Sequence, residues 1–336
     1  MRGRGHAGRD LSKWRELSEQ LFLQRIGLLA VQETHLTATM VDKLHDMHKD
    51  IKILCSPDPE NPSAKGGVAV VLNTKLVRVL QDARMWEIVP GRAIVVSIDW
   101  HRGQKLVAMA IYAPNDHREN RDFWTEVRTC LQHRADVPKP LMMLGDFNMV
   151  EAAYDRYPAH LLDADMSAEF QELLTALDMV DGWRESHPRQ FYQTWKDASA
   201  SAMAHLDRIY VAKSLYNVSG GWTVDSSRSW CSGSDHLPVY AEIVNPAMPI
   251  VGPGHWTMTL RHLRIRKLLA EVIAKGMILQ DKLDTLATTP RDPTHNIQHL
   301  WAESKVEWAA DAQRCAREKG QKDARILKSL EKERAE

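Results

Sequence analysis

Apolar residues recur at helical spacing over 11–26, where Leu11, Trp14, Leu17, Leu21 and Phe22 fall on one face. The run that follows, GLLAVQETHL, is continuously apolar and then turns polar. It predicts a buried strand that delivers Gln32 and Glu33 into a loop. Residues 37–49 predict a second helix with Thr37 as its N-cap. SPDPENPSAKGG is dense in turn formers and predicts an exposed loop. GVAVVLN, AIVVSIDW and KLVAMAIYAP predict strands, as do PLMMLGDFN, HLDRIYVA and LPVYAEIV. Helical spacing returns at 119–134 and at 166–178, where Ser167 is the candidate N-cap. Continuously apolar strands are usually covered on both faces, so a layered α/β fold is expected.

Near residue 245 the pattern changes. NPAMPIVGPGHW is rich in Pro and Gly, and only helical patterns follow it: 258–286, 295–319 and the charged run KDARILKSLEKERAE. A boundary at about 248–255 is expected. It separates a domain at 1–247 from a helical extension at 248–336.

Composition narrows the class. The chain has 336 residues, 44% hydrophobic and 26% charged, enough to bury a core and too apolar for disorder throughout. No apolar run reaches the roughly 18 residues of a membrane span. The N-terminus, MRGRGHAGRDLSKW, lacks the apolar stretch of a signal peptide. Four cysteines are scattered with no CxxC pair, which argues against a disulfide framework or a zinc module and fits a reducing compartment. The expected location is nuclear or cytoplasmic. Lys+Arg and Asp+Glu balance at 44 each. They divide 28 against 32 in residues 1–248 and 16 against 12 in 249–336. A strongly basic DNA-coating protein is not indicated, but an acidic metal site beside a basic rim is compatible. The basic tail is either the solvated face of helices or a source of weak, salt-sensitive phosphate contacts.

Five segments place acids, amides and a histidine where strands meet loops. They are Gln32-Glu33-Thr34-His35, Tyr112-Ala113-Pro114-Asn115, Gly145-Asp146-Phe147-Asn148, Leu206-Asp207-Arg208-Ile209-Tyr210 and Ser234-Asp235-His236. Each has an ordinary explanation alone. Glu33 fits a surface acid, Asp146 a helix cap or Asx turn, Asp207 a partner for Arg208, His236 a satisfied core histidine, and His35 a neighbour of a site. Together they match one reaction, since α/β folds bind ligands outside the carboxyl ends of strands. Phosphodiester hydrolysis needs a hard cation, and Glu33 supplies the oxygen ligand that Mg²⁺ prefers. It needs a base for water, for which Asp146 is the candidate, with Asn148 beside it. It needs donors at the developing charge: His236 held protonated by Asp207, with Tyr112 and Asn115 as neutral donors.

QETH, YAPN, GDFN, LDRIY and SDHLP, in this order over roughly residues 20–247, resemble the motif set of the endonuclease/exonuclease/phosphatase superfamily. That superfamily includes deoxyribonuclease I and the apurinic/apyrimidinic endonucleases. QETHL, IYAPN and LDRIY resemble more narrowly the apurinic-type endonuclease domain of non-LTR retrotransposons. GPGHWTM and the helical tail resemble the region between endonuclease and reverse transcriptase in those polyproteins. The chain is therefore expected to be a fragment of such an element or a gene derived from one.

The resemblance implies a two-sheet, four-layer α/β sandwich of the deoxyribonuclease I kind, with a helical C-terminal extension. It implies a Mg²⁺- or Mn²⁺-dependent endonuclease that nicks DNA with little sequence selectivity and leaves a 3′ hydroxyl. By position, Glu33 and Asp235 lie at the metal, and Tyr112 and Asn115 contact the phosphate. Asp146, helped by Asn148, activates water. Asp207 orients His236, Ser234 positions the Asp235-His236 pair, and Thr194, in YQTW, lines the site. The family begins with a strand ending in a metal-binding asparagine. MRGRG resembles the residues just after it, so that strand and its asparagine are expected to be missing, which weakens cation binding. Ala204-His205 stands where the family often has Arg or Lys, so substrate contacts on that loop are expected to differ. Two other readings remain: an inactive remnant that binds nucleic acid through its basic tail, and a phosphatase for a small phosphoester. The absence of the tryptophan-cysteine-aspartate-arginine motif of inositol-phosphate phosphatases lowers the latter. Most of the 11 tryptophans are expected in the core. Trp222 and Trp230, which flank a Ser/Gly-rich stretch, are candidates for DNA contact instead.

Overall fold

A computed structural model of the chain describes residues 7–77, 83–162, 165–225, 234–245, 247, 265–289, 292 and 296–335. The chain divides into two units, Met1–Pro249 and Ile250–Glu336. The first unit opens with α1 (Ala7–Leu23), β1 (Leu28–Gln32), α2 (Ala38–Met47), β2 (Ile51–Ser56) and β3 (Val68–Asn73). It continues through β4 (Arg84–Val89), β5 (Ala93–Asp99), β6 (Lys105–Tyr112), α3 (His117–His133) and β7 (Met142–Asp146). Next come β8 (Arg156–Tyr157), α4 (Ala168–Leu177), β9 (Met179–Asp181), α5 (Gly182–Ser186), β10 (Trp195–Lys196) and β11 (Met203–Ala204). It closes with β12 (Asp207–Ala212), α6 (Lys213–Tyr216), β13 (Gly220–Val224) and β14 (Val239–Glu242).

Strand order in the large sheet is β4-β5-β6-β7-β12-β9. Among its described pairings only β6–β7 is parallel. Facing it are a three-stranded sheet, β1-β3-β2, and the pair β13-β14. The architecture is a four-layer α/β sandwich. In the middle layer Val68, Val70 and Leu72 meet Ile94, Val96, Ala108, Ala110 and Leu144. On one outer side α1 and α2 bury Trp14, Leu17, Leu21 and Leu44 against Val31, Ile53 and Val71. On the other, α3 and α4 bury Phe123, Trp124, Phe170 and Leu173 against Val95, Met109 and Met143. All six residues of β3 are buried, because it is central in its sheet and covered on both faces.

Helix starts follow the local chemistry. Thr37 accepts a hydrogen bond from the Met40 amide and Ser167 one from the Phe170 amide, as their positions predicted. Seven strands, β2, β4, β8, β9, β10, β11 and β13, have no counterpart in the predicted elements. β2 and β4 lie at sheet edges, and exposed Lys52, Arg84 and Glu87 break up their apolar pattern. In the second unit α7 (Arg266–Ala287) and α8 (Ile297–Ala335) form an antiparallel hairpin. Lys275 meets Asp311 at 2.7 Å and Lys267 meets Glu318 at 2.8 Å. The run 295–319 and the charged segment after it form one continuous helix. Residues 258–264 of the expected helix lie outside the described residues. No described helix is long and apolar enough to cross a membrane.

Strand β12 separates two environments. Successive residues of a strand point to opposite faces. Ile209 and Val211 enter the middle layer with Asp207 on the same face, while Tyr210 joins the outer core. Arg208 shares the outer face, and its side chain is fully buried. The guanidinium binds Asp155 at 2.8 Å, Asp181, and Glu151 at 3.6 Å. Arg184 also binds Asp155, and the Tyr210 hydroxyl donates to Glu151 Oε1 at 2.8 Å. The ordinary reading of Asp207 as a partner for Arg208 does not hold, because alternation points the two apart.

Removing one partner of a buried ionic network leaves uncompensated charge. Arg208→Met is expected to cost about 3–5 kcal/mol in urea unfolding. A loss below about 1 kcal/mol would show that the network is not what anchors β12.

Candidate active site

Strand register builds the site. Tyr112 of β6 lies opposite Asp146 of β7, and Asp146 lies opposite Asp207 of β12. Three adjacent strands thus present a tyrosine and two carboxylates in one row, on the face that carries Ala110, Leu144 and Ile209 further along. Gly145 permits this arrangement. Its φ is +141°, and a Cβ there would meet the Ile111 carbonyl oxygen at 2.0 Å and Gln32 Nε2 at 2.9 Å.

His236 completes the row. Its Nδ1 lies 2.8 Å from Asp207 Oδ2. One ligand atom each of Asp146, Asp207 and His236 lie within 4.8 Å of one another. Burial by itself lowers the proton affinity of the His236 imidazole. The Asp207 carboxylate outweighs that and holds its pKa up to about 9. Burial, then the charge of Asp207, push Asp146 up to about 7. His236 and the Asn148 amide pull Asp146 the other way. At neutral pH His236 is therefore a cation beside a carboxylate pair, and a protonated imidazole is a hydrogen-bond donor rather than a metal ligand.

Loops bring the remaining groups. Glu33 sits just past β1 with φ +51°, and the Tyr112 hydroxyl donates to its Oε1 at 2.9 Å. Burial, then Glu33, raise the Tyr112 phenol well above its ordinary value, so it stays a donor. Arg92 lies 4.6 Å from the Tyr112 ring centroid. Asn148, with φ +49°, donates through its backbone amide to Asp146 Oδ1 at 3.0 Å. Its side-chain amide donates to the Ala113 carbonyl at 2.8 Å. Trp195 Nε1 donates to Asp235 Oδ2 at 3.2 Å. The Ser234 hydroxyl accepts from the His236 amide at 3.2 Å, a local bond that shapes the turn.

Glu33, Tyr112, Asn115, Asp146, Asn148, Asp207, Ser234, Asp235 and His236 all line one cleft of about 1960 Å³. Thr194 does not. Its side chain is fully buried, and its hydroxyl accepts from the Leu206 and Asp207 amides at 2.9 Å each. It fixes the start of β12 instead of meeting substrate. His205 is also turned inward, stacked 4.6 Å from Trp183, with Nδ1 2.6 Å from the Tyr192 carbonyl oxygen. The departure at Ala204-His205 is thus a change in the core, not on a substrate loop. Trp222 is 7% exposed and packs over Gly182, so it is a core residue. Trp230 lies outside the described residues.

One positioning residue had no signal in the motifs. Asn120, 1% exposed, donates to the Pro114 carbonyl at 2.9 Å and the Phe147 carbonyl at 3.1 Å. It accepts from Trp124 Nε1 at 2.7 Å. It therefore ties the loop of Asn115 to the loop of Asn148. A polar residue at 119–134 in the middle of an amphipathic pattern was the one available hint.

The chain matches the Endonuclease/Exonuclease/phosphatase family over residues 8–236. It belongs to that family. Its fold is similar to that of the AP endonuclease LMAP from Leishmania major, with TM-score 0.58 and 17% identity over 72% of this chain and 85% of that one. It is also similar to the 3′ phosphatase NExo from Neisseria bound to a product DNA hairpin. There the TM-score is 0.54 and the identity 20%, over 69% of this chain and 95% of that one. The endonuclease domain of TRAS1, a telomere-specific non-LTR retrotransposon, gives TM-score 0.49 and 14% identity over 70% and 93%. Identities this low speak to the fold alone.

The Asp207–His236 contact has a direct readout. In metal-free protein the His236 imidazole should titrate near 9 by NMR. Asp207→Asn should lower the midpoint, since its contact is the largest that raises it and only the charges of Asp146 and Asp235 then oppose burial. An unchanged midpoint would mean that Asp207 does not hold the ring.

Proposed function

We propose that the chain is a divalent-metal-dependent phosphodiester hydrolase that nicks DNA. The observation that carries this is the row Tyr112-Asp146-Asp207 with His236 held protonated at its end. Four of the carboxylates that line the cleft, Glu33, Asp146, Asp207 and Asp235, are hard oxygen donors suited to Mg²⁺ or Mn²⁺. Their dense negative charge also calls for a cation, since Asp146 already feels both Asp207 and Glu33. Glu33 and Asp235 are assigned to the metal, because Asp207 is engaged by His236 and Asp146 is needed as base. The cation, when bound, neutralises phosphate charge and draws the substrate oxygen toward these residues.

Asp146 takes the proton of the attacking water. A carboxylate pushed up to about 7 by burial is a far better base than an exposed one. Asn148 holds that carboxylate through its backbone amide, and Asn115, exposed on the facing loop, binds a phosphate oxygen. His236 donates to an oxygen where negative charge grows in the transition state, and the Tyr112 hydroxyl does so when it turns from Glu33 to the phosphate. Ser234 shapes the turn that carries His236. Origin from a non-LTR retrotransposon is supported by the wording of QETHL, IYAPN and LDRIY and by the GPGHWTM segment. The net positive extension supplies sequence-independent phosphate attraction.

Supercoiled plasmid with Mg²⁺ or Mn²⁺ is expected to be nicked, and EDTA to stop it. Asp146→Asn should lower the rate by about 10²–10⁴-fold with the circular dichroism spectrum unchanged. Intact plasmid over a wide range of enzyme and metal concentrations would refute the proposal. The alkaline limb follows from His236. Its donor is present below about 9 and lost above, so nicking should fall as pH rises through that value. Asp207→Asn should move that limb to lower pH. A limb that stays in place would remove His236 from the reaction.

A further inference from the structure

Helix α7 is apolar almost all round over residues 268–279, LLAEVIAKGMIL. A helix of that kind is normally covered on every side. In the hairpin, α8 covers one side only. Leu268 and Val272 of α7 pack with Ala312 and Cys315 of α8. The two charged residues of the stretch turn the same way: Glu271 meets Arg314 at 2.7 Å, and Lys275 meets Asp311 at 2.7 Å. The helix thus directs its charges at α8 and much of its apolar surface outward. Ile273 is 63% exposed and Met277 67%, with Leu269 and Ile278 exposed beside them.

The outward residues follow one another at the spacing of a helix-packing seam. Arg266, Ala270, Ile273, Met277, Gln280 and Asp284 are separated by alternating steps of four and three, which keeps them on one face, and all six are exposed. The seam is apolar at its centre, basic at one end and acidic at the other. Gln280 Nε2 donates to Asp284 Oδ1 at 2.9 Å, which fixes the carboxylate at the acidic end. A face of this kind is complementary to itself when turned end for end. Two copies of α7 packed antiparallel would set Ile273 of each against Met277 of the other, Ala270 against Gln280, and Arg266 against Asp284. Each of these pairings is made twice. Parallel packing would instead bring Arg266 to Arg266 and Asp284 to Asp284, with like charges meeting at both ends.

We propose that the outward face of α7 is the contact between two copies of this chain, an antiparallel α7–α7 pair related by a two-fold axis. Such an interface is isologous, so every contact made by one copy recurs from the other. The apolar centre supplies the attraction, and the charges at the ends set direction and register. The contact does not depend on the nuclease reading, and its test needs no turnover.

Sedimentation equilibrium of the full chain reads the assembly directly. It should show monomer and dimer exchanging within about 1–100 µM. Ile273→Asp places a charge at the centre of the seam and should weaken the dimer at least about tenfold. Since position 273 is exposed in the single chain, the circular dichroism spectrum should not change. Arg266→Asp sets like charges against each other at both ends and should weaken the dimer about fivefold to tenfold. Combining Arg266→Asp with Asp284→Arg restores opposite charges in exchanged order and should recover the lost affinity, a rescue that a misfolded variant could not give. A chain that stays monomeric over the whole range would overturn the proposal. So would a dimer that Ile273→Asp leaves intact, because the contact would then lie elsewhere. Failure of the double reversal to rescue Arg266→Asp would exclude the antiparallel register, and the proposal with it.

Discussion

Pairing of β7 with β12 is the constraint on which the rest of the molecule turns. It sets Asp146 and Asp207 opposite each other on one face, so two carboxylates compete for one dry end of the sheet. Neither backbone strand can relieve that repulsion by slipping. A shift of one residue would move every apolar side chain of β12 from the middle layer to the outer one. The relief comes from outside the sheet, in the imidazole of His236 at 2.8 Å from Asp207. That division leaves Asp146 as the carboxylate with a raised pKa and Asp207 as the one committed to a cation. Two residues of one type thereby acquire different chemistry from their surroundings alone.

The back of the same strand is held with equal care. Arg208 is buried among three acids, and Tyr210 joins that network while its ring packs against Phe147 at 4.9 Å. Thr194 grips the first amides of β12 and Asn120 ties the two loops that flank the row. None of these side chains faces the cleft. They hold the donors and acceptors that do within the tolerance hydrolysis demands. Buried polar groups of this kind depend on their few fixed partners, which is why they tolerate so few alternative arrangements.

Membership in the Endonuclease/Exonuclease/phosphatase family accounts for the sandwich and for the position of the cleft at the strand ends.

Much of this was legible in the residues alone. Long apolar runs specified β3, β5, β6 and β7, and Thr37 and Ser167 marked their helix starts, because these signals are local. The motifs also named nine side chains that line the cleft, since their types suit phosphate chemistry and their positions follow strands. What the chain could not reveal in one dimension was partnership. Edge strands β2 and β4 are polar enough to hide, and Arg208 sits beside Asp207 in sequence yet on the opposite face in space. Thr194, His205 and Trp222 carry the chemistry of contact residues but are buried by packing against segments far away. Residue type and periodicity are written locally and so belong to the sequence. Which side chain is dry and which carboxylate has its pKa raised depend on register and burial between distant segments, and only the tertiary structure decides them.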